Sequence, residues 1–270
     1  KQPMAIYAFL ILTYIPFWIV AKKCSGDDLG MFRGVLNHQN IIEYSINRYY
    51  SWSSRNILEI FTVFFCNYVP FVLWKILNLG FYLLMFTTLW NLFFARQIEY
   101  GWLLAIGLQF IPVKMFNETG MITIATTYIW PLTVGFLALF PLKWYLHDKK
   151  IKRWQFLLSY CFFIIAGNME LYLTVMILGY IIYLIVCKEH NKKYSAPILG
   201  YGVILLAETF YFVYCPGNKA RAVFGTSSLL YHSSLWSKIY RGFTTTMIYC
   251  MGNYEFQFFF FTLILIYLMT

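Results

Sequence analysis

Apolar stretches long enough to cross a bilayer recur along this chain, with only short polar breaks between them. A hydrocarbon core of about 30 Å takes roughly 20 apolar residues per helix. The candidate segments are 4–21, 57–73, 76–94, 100–116, 121–140, 154–166, 171–187, 196–214 and 256–270. In lipid every backbone N–H and C=O must pair within its own segment, so blocks of this kind fold as helices. Several of them lack the polar face that a helix on a soluble core would show. Charged residues make up 12% of the chain, where a soluble domain carries about 25%. The expected fold class is therefore all-α, a polytopic α-helical membrane protein with one transmembrane domain over residues 1–270. There is no internal repeat, low-complexity tract or soluble domain.

The formal net charge is +10. In a soluble chain that balance would suggest nucleic acid. Here basic loops report topology and anionic lipid headgroups, so the expected partner is a bilayer and not a nucleic acid. Aromatic residues reach 22%, which suits interfacial belts and sugar-stacking surfaces alike. The cysteines at 24, 66, 161, 187, 215 and 250 form no CxxC or Cys/His pattern, so they read as small apolar filling. The histidines at 38, 147, 190 and 232 show no ligand spacing either. No small-residue cleavage site follows residues 4–21, so this segment is expected to be an anchor. The chain starts without Met and stops inside an apolar run; the expectation is that the intact protein is longer and that this is its N-terminal part.

Lysine and arginine in short loops orient the segments. Residues 141–153 hold Lys143, Lys149, Lys150, Lys152 and Arg153 against Asp148, and residues 188–195 hold Lys188, Lys192 and Lys193 against Glu189. Both loops are expected inside, with an outward excursion turning at Gly167-Asn168-Met169-Glu170 between them. Lys1 inside puts the loop 22–55 outside. Parity then requires one segment between that loop and 141–153 not to cross. The choice is 57–73, interrupted by Asn67 and Pro70, read as a juxtamembrane helix. With that choice Asp27-Asp28, Arg48, Arg55, Asn117-Glu118, Asn168, Glu170, the 216–221 stretch, Lys238 and Arg241 all fall on the outer face. Residues 215–254 form a second outer loop, opening with a Pro-Gly-Asn turn and holding one or two short interfacial helices.

Basic residues in outer loops have two explanations, an anionic ligand or the solvation of a long loop. Asp27 and Asp28 follow the first span by about six residues. A carboxylate there can take the proton of an acceptor hydroxyl, help hold a divalent cation, or cap a helix. Arg55 suits bidentate phosphate binding or contact with lipid headgroups. In Pro216-Gly217-Asn218-Lys219-Ala220-Arg221 a turn and two cations suit a phosphate, and no Walker or Rossmann glycine spacing accompanies them. Glu118, Asn168 and Glu170 sit at helix tips, where a shared wet cavity or ordinary turn chemistry would account for them. Trp52, in the Tyr49-Tyr50-Ser51-Trp52 run, and Tyr128, near Trp130, could stack on sugar faces or belong to an aromatic belt.

A first span, an outer loop that starts with an acidic pair, juxtamembrane helices and many further spans resemble the GT-C superfamily of polyprenyl-phosphate-sugar-dependent glycosyltransferases. The likeness is closer to a bacterial branch of multi-pass proteins. It rests on Asp27-Asp28, Tyr50-Ser51-Trp52-Ser53-Ser54-Arg55, Thr119-Gly120 with Thr127-Tyr128-Ile129-Trp130-Pro131, Pro216-Gly217-Asn218-Lys219-Ala220-Arg221, and Gly167-Asn168 through Glu170. The resemblance implies a transferase in the cell membrane whose site lies on the outer face. It would move a sugar from a polyprenyl phosphate to a cell-envelope glycan or glycolipid, with inversion. Asp27 would be the base and Asp28 the competing choice. Arg55, Lys219, Arg221 and Arg241 would receive the phosphate, and Trp52, Glu118, Tyr128, Asn168, Glu170 and Asn218 would contact substrate. Superfamily members differ in whether they need a divalent cation (Mg or Mn), and the sequence leaves both open. Rival readings are a lipid or glycan flippase, a glycan polymerase and a membrane scaffold. The absence of a repeat and the gathering of polar groups at one face speak against the flippase. The acidic pair directly after the first span favours a single-sugar transferase over a polymerase.

Overall fold

The computed structural model describes residues 2–23, 25–110, 116, 118–190, 195–224, 233–252, 257, 261, 262 and 264. Among the described residues every regular element is helical. The elements are α1 (Gln2–Val20), α2 (Ile41–Ser51), α3 (Asn56–Tyr68), α4 (Phe71–Phe94), α5 (Ile98–Gly107), α6 (Met121–Leu146), α7 (Arg153–Gly167), α8 (Glu170–Glu189), α9 (Ala196–Tyr214), α10 (Pro216–Phe224) and α11 (Leu235–Gly252). Five of them, α1, α4, α6, α8 and α9, are long and apolar enough to cross a membrane.

Helix α6 is the central element. It packs on α4 and α7, and 61% of its apolar window is buried, against 11% for α8 and 17% for α1. The outer surfaces of α1, α8 and α9 are rows of exposed Leu, Ile and Val, as helices facing lipid show. α6 is not straight. A π-helical turn covers Ala125–Ile129, and the helix steps at Leu139. Pro131 and Pro141 each remove an interior N–H donor, which accounts for the irregular backbone.

Three apolar clusters fill the interior. One joins Ile6 and Leu10 of α1 to Phe86 and Trp90 of α4 and Ala105 of α5. A second joins Leu142 of α6, Phe163 of α7, and Ile198, Tyr201 and Leu205 of α9. The third lies under the 22–55 loop and holds Phe32, Tyr44, Val63, Trp74, Met121, Ile122 and Trp130.

The segment 57–73 breaks where Asn67 and Pro70 indicate. α3 stops at Tyr68, and α4 starts at Phe71 after Pro70. At 13 residues, α3 is about 20 Å long and is not among the five membrane-length helices. It buries Leu58, Glu59, Thr62, Val63, Phe65 and Cys66 and exposes Phe61, Phe64 and Tyr68, a two-faced pattern suited to an interface. The turn at 167–170 also forms as expected, since α7 ends at Gly167 and α8 begins at Glu170.

Three expectations change. Residues 100–116 are not one long helix: α5 ends at Gly107, a 3₁₀ turn follows over Leu108–Phe110, and 111–115 lie outside the described residues. Pro216-Gly217-Asn218 is the first turn of α10 and not a loop. Proline is at home at the first helical position, because its missing N–H would be unpaired there anyway. Residues 235–252 make one helix of 18 residues. Asn117, residues 225–232 and most of 256–270 lie outside the described residues.

Candidate functional site

The 22–55 loop is built from a π-helical turn (Asp28–Phe32), a 3₁₀ turn (Val35–Asn37) and α2. α2 starts with a reciprocal capping box. The Asn40 carbonyl oxygen accepts from the Ile42 and Glu43 N–H groups at 3.0 and 2.9 Å, and Glu43 accepts from the Asn40 N–H at 3.0 Å.

The acidic pair divides its duties. Asp28 is fully buried. Its carboxylate accepts from the Ile122 N–H at 2.9 Å, the Thr123 N–H at 2.8 Å and the Thr123 hydroxyl at 2.6 Å. It therefore caps the N-terminus of α6 from 94 residues away in sequence. Gly120 makes room for it: φ there is +127°, and a Cβ would lie 2.7 Å from Asp28 Oδ1. Burial raises the Asp28 pKa above the usual carboxylate value; the three donors pull it back only in part, and neighbouring Asp27 adds to the rise. Three of its four acceptor positions are thereby used, and the side chain is sealed from solvent. Asp27 is half-exposed, with no hydrogen bond or ion pair among the described residues. Its charge is felt at Arg48.

Arg48 and Glu59 form the most buried ion pair among the described residues, with Nε–Oε2 2.6 Å and a second bond of 3.0 Å to Oε1. The Ser53 hydroxyl donates to Glu59 Oε1 at 2.8 Å. Burial works against the charge on Arg48, but the paired Glu59 carboxylate outweighs it and raises the pKa. Trp52 covers the guanidinium, which lies 5.3 Å from its ring. Within the aromatic run Trp52 thus serves the loop's own arginine, and Tyr49 stacks on Tyr211 of α9.

Three stretches far apart in sequence meet at the start of α3. Asn168 Oδ1 accepts from the Ile57 and Leu58 N–H groups at 3.0 and 3.3 Å, and its Nδ2 donates to the Ser54 carbonyl at 3.1 Å. Asn218 Oδ1 accepts from the Ser54 N–H at 3.2 Å, while its Nδ2 donates to Ser54 Oγ and the Phe212 carbonyl. Gly217 lets α10 lie directly on the end of α2; a Cβ there would sit 2.5 Å from the Trp52 nitrogen. Tyr211 donates to Asn56 Oδ1 at 2.6 Å. These contacts bring Arg55 and Arg221 to the two sides of Glu170: Arg221 bonds Oε1 at 2.9 Å, and Arg55 Nε lies 3.6 Å from Oε2. The Arg55 Nε is buried and has no hydrogen-bond partner. Two guanidinium groups on one carboxylate leave a surplus positive charge, and Lys219 stands exposed on the same short helix.

The other expected residues are more dispersed. Arg241 is exposed on α11, and among the described residues no side-chain bond joins it to this cluster. Glu118 is exposed beside the loop. Tyr128 lies in the π-helical turn of α6, where its carbonyl accepts from the Tyr172 hydroxyl at 2.9 Å. Trp130 is core: it stacks on Phe81 and donates to Asn78. Among the described residues no three His, Cys, Asp or Glu gather as a metal ion would need.

Sequence reasoning passed over Glu59, Thr123, Tyr211 and Glu208. Glu59 and Glu208 carry a usable signal, since an acid inside an apolar helix needs a partner or water. Glu59 has Arg48. Glu208, on α9 beside Gly167 of α7, has no hydrogen bond or ion pair among the described residues.

Among the described residues the fold and the site are those of an all-helical protein with five membrane-length helices and a cluster of Arg55, Glu170 and Arg221 where α3, α8 and α10 meet. Compared with protein-family models, curated proteins and solved structures, the chain matches none.

Proposed function

We propose that the chain is a membrane glycosyltransferase that moves a sugar from a polyprenyl-phosphate donor to a cell-envelope glycan or glycolipid on the outer face. The observation that carries this reading is the convergence of Arg55 and Arg221 on Glu170, with one positive charge in excess and the Arg55 Nε ion-paired at 3.6 Å but without a hydrogen bond. In transfer from a lipid phosphate the leaving group needs positive charge more than a proton. Cations already held in place supply it without reorganisation. The acceptor oxygen attacks the anomeric carbon as the bond to the phosphate oxygen breaks, and the configuration inverts. The acceptor proton passes to Asp27, and the released lipid phosphate is held by Arg55 and Arg221, with Lys219 beside them. Asp28 holds the loop against α6 and so keeps Asp27 in position.

The lipid part of the donor also has a place to go. An apolar cavity of about 570 Å³ lies among α6, α7 and α8, from Ala166 and Tyr172 at one end to Lys143 and His147 at the other. Its first end lies a few residues from Asn168 and Glu170. The test is transfer by purified protein from labelled polyprenyl-phosphate sugars. Asp27→Asn and Arg55→Ala should each lower turnover at least a hundredfold, within the range general-base and electrostatic contributions span. Full transfer by Asp27→Asn would remove the proposed base.

A further inference from the structure

At the far end of α3 from Arg55 lies a second cationic site that the transfer reading does not use. A cavity of about 430 Å³ opens at the α3–α4 turn, lined by Lys23, Arg33, Asn37, Asn67, Tyr68 and Pro70 among others, and no acidic residue lines it. Neither Lys23 nor Arg33 has a hydrogen bond or ion pair from its side chain among the described residues.

The backbone that presents Arg33 is pinned on both sides. Asn67 Nδ2 donates to the Phe32 carbonyl at 2.9 Å, and its Oδ1 accepts from the Gly34 N–H at 2.8 Å. The Arg33 N–H donates to the Asp28 carbonyl at 3.0 Å. Fixing the main chain before a ligand arrives removes part of the ordering cost of binding. The α1 end brings Lys23 to the same cavity.

We infer that this pocket is a second anion site, built for a phosphate ester. It lies about 20 Å from the first, one length of α3, and the π-helical turn Asp28–Phe32, which directly follows Asp27, packs against the same helix. A donor phosphate at Arg55 and an anionic group at Arg33 would then sit at opposite ends of the helix against which the candidate base's turn is packed. The charged group then belongs to the acceptor, which is an anionic, phosphate-bearing molecule. That last assignment rests on the transfer reading; the phosphate site does not.

Two measurements test it. In the first, detergent-solubilised protein binds a fluorescent short-chain phosphatidic acid, with a phosphatidylcholine analogue as control. Lys23→Ala/Arg33→Ala should remove one class of bound probe or weaken it by roughly tenfold or more, the size of one lost charge-assisted hydrogen bond. Arg33→Lys should restore part of it, and Arg55→Ala should leave this class in place. Displacement by millimolar inorganic phosphate would mark recognition of the phosphate alone, and resistance to it a lipid-borne headgroup. Unchanged binding by the double variant, or equal binding of phosphatidylcholine, overturns the site. In the second, the double variant should raise the KM for a phosphate-bearing acceptor and leave the KM for the donor unmoved. If the unaltered protein transfers nothing, the transfer reading falls and the binding result still decides the pocket.

Discussion

Single residues here carry opposite duties at adjacent positions. Asp28 spends its carboxylate on three donors of α6, and Asp27 keeps its own free. Asp28→Ala should therefore cost about 2–4 kcal/mol, a cap plus charged hydrogen bonds, read as a lower unfolding midpoint in detergent. Asp27→Asn should leave that midpoint within about 0.5 kcal/mol, as substitutions outside such networks do, while in the proposed transfer it lowers turnover at least a hundredfold. The two glutamates inside apolar helices, Glu59 and Glu208, make a second contrast. Arg48→Ala strands the Glu59 carboxylate in the interior and should destabilise by about 3–5 kcal/mol. Glu208→Gln should hold or raise the midpoint, because it removes a charge whose desolvation no partner offsets.

At the scale of elements, helix ends are tied by side chains from distant parts of the chain. α3 is capped by Asn168 and α6 by Asp28, and the last carbonyls of α4 accept from Lys143 Nζ of α6, at Asn91 and Leu92. Such caps fix the packing of elements as well as their ends. Asn168→Ala should lower stability by about 1–2 kcal/mol, measured by the same thermal unfolding, and Asn168→Asp, which keeps the acceptor, should recover more than half. Gly217→Ala forces α10 off the end of α2, since its Cβ would meet the Trp52 nitrogen. It should reduce donor binding through the displacement of Arg221, read as a raised donor KM.

For the whole molecule, the orientation makes its own prediction. The basic loop near Asp148 and the cluster at Arg55 and Arg221 are expected on opposite faces. In a chain with its native cysteines replaced, a cysteine at 148 should resist an impermeant thiol reagent until the membrane is opened. One at the exposed Lys219 should react from outside. Labelling of position 148 from outside would overturn the orientation and the outer-face chemistry with it.

Composition and the spacing of apolar blocks were enough to determine an all-helical, membrane-type chain. They also located the break at Asn67 and Pro70, because local physics decides both: hydrocarbon enforces internal backbone pairing, and proline ends a helix. Asp27-Asp28, Arg55, Glu170 and Arg221 could be picked out as charges that need a reason. Their grouping could not. Arg55 and Arg221 stand 166 positions apart, and only the tertiary contacts of Asn168, Asn218 and Gly217 carry both to Glu170. The same holds for Asp28, whose cap belongs to α6 and not to the helix it starts. A periodic pattern records which face of a helix is buried, but it cannot name the distant partner that completes the helix end; packing decides that.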